Sequence, residues 1–321
     1  MKAAVHTRYG PPSVVRILDV DKPVARPDEV LIGVHATTVN RTDCAYRAGR
    51  PALARLMYGP VKPKATILGN EFAGEVRAVG SGVTRFAVGD KVFGYNEGRF
   101  GAHAEYLVMR QDGPLATIPA DVDYEQAAPS IEGSHYALSL IRAAKVRAGQ
   151  HVLVYGATGG IGSAAVQLVK ALGGTVTGVC GPAHLELVKG LGADRVIDYT
   201  AADFTADRSS YDVVIDAVGK TSFGACRPVL KDHGSYLSSE LGPYAQNPAL
   251  ALVTPLLGGK RVRFPIPRQS QEMVEYVKGL IGAGTFRPVI DRQYPLDEIV
   301  EAYRYVDSGQ KIGNVVIGVG P

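Results

Sequence analysis

Tryptophan is absent from this chain, and of its 321 residues only 3 are cysteine and 4 methionine. Cys44, Cys180 and Cys226 are odd in number and far apart, which excludes a disulfide framework and any closely spaced metal knuckle. Long apolar runs are missing as well: nothing approaches the roughly 18 uninterrupted apolar residues that a membrane-spanning helix needs. Excess charge of one sign is also lacking. The formal net charge is +4, with 35 Lys and Arg interleaved among 31 Asp and Glu, so no basic stripe for nucleic acid is present. Residues 1–6 lack a signal-peptide core and read as a strand. These absences set the expectation of a reduced, cytoplasmic, soluble protein with no nucleic-acid and no membrane partner.

What is present points to two domains, at roughly 100–200 residues each. Apolar residues make up 46% and charged residues 21%, which excludes general disorder. The 38 glycines follow no three-residue period, so they mark tight turns and close backbone approaches rather than collagen. Residues 14–20 and 29–36 are β-branched and largely apolar, and residues 69–101 break into short apolar pieces that turn at glycines. That pattern predicts a compact β-barrel or sandwich. Pro119 and Pro129 bracket a polar stretch that marks a boundary. Beyond it, apolar strands at 151–155, 175–179, 195–199, 212–216 and 235–238 alternate with helices at 134–144, 161–172 and 185–191. This is the pattern of a parallel sheet covered on both faces. Helices at 271–281 and 296–306 and a strand at 314–319 complete the chain.

Between the strand at 151–155 and the next helix stands Gly156-Ala157-Thr158-Gly159-Gly160-Ile161-Gly162. It matches the dinucleotide-binding fingerprint with Ala157 in place of the first glycine, followed by Gly159 and Gly162. The chemistry needs a tight turn, a residue without a side chain where the pyrophosphate approaches, and close helix–strand contact. Helix amides then hold the phosphate charge. An NAD enzyme ends its second strand with Asp or Glu for the ribose 2′-hydroxyl. Here that strand runs into Cys180-Gly181-Pro182 with no acid before Glu186, so NADPH is the expected cofactor, with NADH as the second option. His184 is the nearest cation, with Lys189 a turn further on. Tyr199 closes the third strand and either flanks the adenosine or packs the strand end. Gly219 and Ser238 follow the fourth and fifth strands at the carboxyl edge, where ligands lie in such sheets.

Further ordered segments complete the picture: Asn40-Arg41-Thr42-Asp43 with Arg47 and Gly49, Leu68-Gly69-Asn70-Glu71-Phe72-Ala73-Gly74, Val88-Gly89-Asp90-Lys91-Val92, Leu191-Gly192-Ala193-Asp194 and Tyr294-Pro295-Leu296. With the glycine turn, they make the chain resemble the medium-chain dehydrogenase/reductase superfamily over nearly its whole length. Within it, the sequence is similar to the zinc-free quinone oxidoreductase-like branch. The resemblance implies an α/β fold: a GroES-like β-rich catalytic domain (1–122 with 266–321) and a Rossmann domain with a doubly wound parallel sheet (123–265). It also implies a homodimer joined through the nucleotide domains.

Zinc-dependent alcohol dehydrogenases of this superfamily carry Cys-x-x-Asp, Gly-His-Glu and a later Cys as catalytic ligands. This chain has Asn40 at the first Cys, Asn70 at the His, and no Cys near Glu132 to His135. An amide is a poor substitute for thiolate or imidazole, so no metal is expected, and Asp43 and Glu71 are read as structural, Asp43 pairing with Arg47. Without a Lewis acid the remaining chemistry is hydride delivery to a quinone or α,β-unsaturated carbonyl. By resemblance Asn40 lines the nicotinamide end of the site and Tyr46 stands on the substrate side, one position from the relatives' tyrosine. Its phenol can donate a hydrogen bond or a proton. Glu132 and His135, at a helix start, face either the cofactor or solvent, and Cys44 reads as a buried, inert thiol. Two other functions remain open at this stage: an NAD(P)-dependent alcohol dehydrogenase, and a non-catalytic, crystallin-like NADPH-binding protein.

Overall fold

The structure is a computed structural model that describes residues 1–52, 55–208 and 210–320. Its strands are β1 (Lys2–Val5), β2 (Arg16–Asp19), β3 (Glu29–Val39), β4 (Glu71–Val79), β5 (Lys91–Tyr95), β6 (Tyr106–Arg110), β7 (Leu115–Thr117), β8 (His151–Tyr155), β9 (Thr175–Cys180), β10 (Arg195–Asp198), β11 (Tyr211–Asp216), β12 (Leu230–Ser238), β13 (Arg261–Arg263), β14 (Ile290–Pro295) and β15 (Asn314–Gly318). Two compact units divide them: Met1–Ile131 with Gln269–Gly284 and Val289–Pro321, and Glu132–Arg268 with Thr285–Pro288.

The first unit is built on a sheet in the order β14-β15-β3-β4-β5-β7, with β6 also on β3. Strand β3 is its hub. One flank pairs with β6 through residues 29–33 and with β15 through residues 36–39, while the other pairs with β4. Its β-branched run is buried along nearly its whole length, as expected where both faces are covered. Two register shifts against β4 bend the sheet, the usual effect of an extra residue in one strand. The helix Ile299–Asp307 buries Ile299, Ala302, Tyr303 and Val306, one stripe at helical spacing. That stripe packs on Val39, Leu68, Val315 and Ile317.

The second unit holds a wholly parallel sheet in the order β10-β9-β8-β11-β12-β13. In chain order this is 3-2-1-4-5-6, the doubly wound dinucleotide arrangement, with its switch point between β8 and β11. Val152, Leu153, Val154, Val214 and Ile215 are fully buried, which explains their unbroken apolar run. The α/β class expected from the sequence is the one observed. Two local expectations shift: residues 12–14 form a 3-10 turn, so the strand there begins at Arg16, and Leu296–Glu298 is a 3-10 turn ahead of the final helix. Strand β13, three residues long with two arginines, carries too little pattern to be anticipated. Among the described residues no helix is long and apolar enough to cross a membrane.

Candidate active site

The glycine turn connects β8 to the helix Gly160–Ala171. Gly156 has φ +79°, and a Cβ there would lie 2.5 Å from Val218 Cγ1, so the turn needs glycine for both backbone and space. At Gly162 a Cβ would meet Gly156 O at 2.1 Å, which fixes the close approach of helix to strand. Gly159 differs. Its backbone is extended, and a Cβ there would have only Gly156 O, at 3.6 Å, within 4 Å. Nothing inside the protein requires glycine at 159, and the space beside its backbone is open. No side chain caps the helix start, and Ser163 N–H is bonded to Gly159 O at 2.8 Å. The amides before it are placed for an anion. Ala157 is buried, and its methyl group packs against Gly178 of β9. Thr158, Gly160 and Ile161 are half-buried along the same turn.

Strand register sets out the rest of the carboxyl edge. Asp198 lies opposite Cys180, Tyr155 opposite Val179 and Asp216, and Asp216 opposite Ser238. Tyr199 is 57% exposed, and its hydroxyl lies 3.4 Å from where a Cβ of Gly181 would be. Its ring therefore covers the end of β9 and does not pack the core. His184 ends a 3-10 turn that begins at Pro182. Cys180 is buried, and burial pushes its thiol up to about 11. Gly219 donates its N–H to Asp216 Oδ1 at 2.8 Å, and the same carboxyl accepts the Tyr236 hydroxyl at 3.1 Å. Asp216 thus ties down the loop after β11. Ser238 lines a cavity of about 160 Å³ with Ser239, Tyr136, Leu140, Phe264 and Ile266. Glu132 and His135 are both buried, and burial lowers the His135 imidazole to about 4, so it is neutral at physiological pH.

In the first unit, Asn40 caps the helix Arg41–Ala48. Its side-chain oxygen accepts Asp43 N–H at 3.0 Å, and the Asp43 carboxylate accepts Asn40 N–H at 3.1 Å, a reciprocal capping box. Because the oxygen serves the cap, the amide nitrogen must face the other way, and it donates to Asn70 Oδ1 at 2.7 Å. Asn70 Nδ2 is left buried with no hydrogen-bond partner. Asp43 also accepts Gly69 N–H at 3.0 Å. Burial nevertheless raises its carboxyl to about 7. The Asp43–Arg47 pair expected from sequence is replaced: Arg47 is 2% exposed and donates to Asp307 Oδ2 at 2.7 Å. The two residues are brought together by the packing of the last helix. Cys44 is buried and its thiol is pushed up by that burial, in keeping with an inert role.

Tyr46, on the same helix, stacks on Tyr58 with ring centroids 3.7 Å apart and meets the edge of Phe100 at 4.4 Å. Burial and the Tyr58 contact push its phenol well above the usual range. Tyr58 was not singled out by sequence, because a separate segment contributes it and no spacing links that segment to Tyr46.

Comparison with known proteins agrees with this layout. The alcohol dehydrogenase GroES-like domain family matches residues 26–120, and the zinc-binding dehydrogenase family matches residues 191–317. A quinone oxidoreductase of Pseudomonas aeruginosa is 32% identical over 327 residues, covering 96% of this chain and 97% of its own. A chloroplastic NADPH-dependent alkenal/one oxidoreductase of Arabidopsis thaliana is 30% identical over 333 residues, covering 99% of this chain and 79% of its own. The solved quinone oxidoreductase of Coxiella burnetii superposes with a TM-score of 0.87 at 29% identity, over 100% of this chain and 99% of its own. The chain belongs to the quinone oxidoreductase-like branch of the medium-chain dehydrogenase/reductase superfamily and is an oxidoreductase that uses a nicotinamide cofactor.

Proposed function

We propose that this chain is a zinc-independent, NADPH-dependent reductase that delivers hydride to a quinone or an α,β-unsaturated carbonyl. The observation that carries the reading is the Asn40–Asn70 amide pair at 2.7 Å, standing where zinc-dependent relatives place ligands. A catalytic zinc needs about three thiolate, imidazole or carboxylate ligands. Among the described residues no group of three or more His, Cys, Asp and Glu side chains converges in that way. The residues present do not fit a catalytic zinc, and the chemistry falls to acceptors that are electrophilic without one.

The residues fit a dinucleotide, with its pyrophosphate on Gly156, Ala157, Thr158, Gly159, Gly160, Ile161 and Gly162, and with Cys180, His184, Tyr199, Gly219 and Ser238 around it. When bound, its nicotinamide supplies the hydride. Residues 123–265 hold it, and residues 1–122 with 266–321 carry the substrate side. There Asn40 fixes the helix that presents Tyr46, and the Tyr46 phenol donates to the oxygen that gains negative charge during reduction. NADPH is favoured because β9 ends at Cys180 and runs into Gly181 with no carboxylate of its own to bond a ribose 2′-hydroxyl, and His184 stands in the following turn. Of the relatives, the alkenal/one oxidoreductase is named for the same cofactor and an enone-type acceptor. Titration with NADPH and NADH tests this; tighter NADH binding contradicts it.

The same reading places the enzyme in the cytoplasm as a homodimer. Strand β13 is the outer strand of its sheet, and Leu252, Leu256, Leu257 and Ile266 are 77%, 85%, 75% and 80% exposed. Isologous pairing of two such edges covers both the open strand and the apolar side chains. Sedimentation equilibrium should give twice the 34.0 kDa chain mass.

A further inference from the structure

We propose that the first unit carries a binding site for a phosphate-bearing small molecule, in the cavity of about 450 Å³ lined by Thr7, Thr66 and residues 59–64. Its walls are fixed by the chain itself. The turn at 59–64 follows the short helix Arg55–Tyr58 and closes back on it, with Lys64 N–H donating to Tyr58 O at 2.8 Å. Gly59 has φ +121°, and a Cβ there would lie 2.0 Å from Lys62 O, so the tight closure needs glycine. Pro60 and Pro63 hold two further φ angles. From outside the turn, the Tyr9 hydroxyl donates to Gly59 O at 2.7 Å. The two threonines are brought together by the pairing of Val5 with Ile67 and by His6 N–H, which donates to Thr66 O at 2.8 Å.

The charge in this cavity is unbalanced. Lys62 and Lys64 are exposed, and neither has an acidic partner among the described residues. By contrast, Lys170, Lys189 and Lys231 hold carboxylates at 2.8, 2.7 and 2.8 Å. The stretches that form the cavity, 1–18 and 44–70, contain no acid at all, although the chain has 31. The hydroxyls of Thr7 and Thr66 are likewise uncommitted among the described residues. Two ammonium groups match the charge of a terminal phosphate, and with two hydroxyls they supply donors for its three oxygens. A carboxylate would carry about half that charge. The cavity has the size of a small-molecule site, roughly 300–1,000 Å³, which leaves room beyond the phosphate. Pro60 and Val61, the latter 89% exposed, offer that remainder an apolar surface. The turn begins beside Tyr58, whose ring stacks on Tyr46 at 3.7 Å. An acceptor with a phosphorylated tail and a separate phosphorylated ligand both satisfy this chemistry, and activity tells them apart. Only the first of these rests on the reductase reading above.

The direct test is calorimetric titration of the full chain with inorganic pyrophosphate under saturating NADPH, which fills the glycine turn. One-to-one binding is expected, weakening as salt rises because the lysines are exposed. In the double variant Lys62→Gln/Lys64→Gln it should be at least about 10-fold weaker, the scale of lost charge-assisted hydrogen bonds. Both positions are exposed, so the variant should fold, as its thermal midpoint will show. The ratio of kcat/KM for crotonyl coenzyme A to that for cyclohexenone then locates the phosphate. A ratio about 10-fold lower in the variant puts it on the acceptor. An unchanged ratio, with pyrophosphate binding still weakened, puts it on a separate ligand, and either result supports the site. No pyrophosphate binding, or equal binding by wild type and variant, overturns it. No NADPH oxidation with either acceptor overturns the reductase reading and leaves the titration to decide the site.

Discussion

The side-chain nitrogen of Asn40 lies 2.7 Å from the side-chain oxygen of Asn70, and the geometry of the helix cap dictates that orientation. The Asn40 oxygen is committed to Asp43 N–H, so the two amides can meet in one sense only. A pair of neutral amides thus joins the start of the helix Arg41–Ala48 to the residue before β4.

This arrangement makes a stability prediction. Asn40→Ala removes both the cap and the amide pair, whereas Asn40→Ser keeps a capping oxygen and removes only the pair. Loss of the cap costs about 1 kcal/mol, and loss of a buried hydrogen bond costs about 1 kcal/mol more. Denaturant unfolding should place Ser between wild type and Ala. An Asn40→Ser variant as stable as wild type would show that the Asn70 contact contributes nothing, and one no more stable than Asn40→Ala that the cap contributes nothing.

The glycine turn separates binding from folding. Gly159→Val should abolish NADPH binding with little change in thermal midpoint, because the backbone there is extended and the nearest atom to the new Cβ is 3.6 Å away. Gly162→Val should destabilise by at least about 1–3 kcal/mol, the cost of overpacking, since its Cβ falls 2.1 Å from Gly156 O. Unaltered NADPH affinity in Gly159→Val would contradict the pyrophosphate assignment.

Asp43 gives a pH prediction. Its carboxyl titrates at about 7 in the fold against an ordinary 3.8. The folded protein therefore keeps a proton that the unfolded chain releases, and stability falls as pH rises through that interval and levels above it. Asp43→Asn is neutral throughout and should lose this segment. Thermal midpoints at pH 5 and pH 8 measure it: the drop should be larger in wild type, and parallel drops in the two proteins would contradict the account.

The sequence made the second unit legible because its strands are buried on both faces and its helices keep a regular apolar stripe, so period and length identify them. The glycine turn was legible for the same reason: it sits between a strand and a helix whose types are plain. Contacts made by the packing of distant segments were not. Arg47 finds its partner 260 residues away in Asp307, and the neighbouring Asp43 was the wrong choice because its carboxyl already serves two backbone amides. Asn40 and Asn70 were each visible as departures from a metal-binding pattern. Their mutual bond depends on how the end of β3 meets the start of β4, which no spacing encodes. Tyr46 and Tyr58 come from two segments, and only the fold stacks their rings.

The most direct test of the central claim is oxidation of NADPH by chelator-treated protein, with quinones and enones as acceptors and zinc content measured on the same sample. The account predicts turnover that survives the chelator, in protein holding well under one equivalent of zinc. Stoichiometric zinc, with activity lost on its removal and restored on its return, would contradict it.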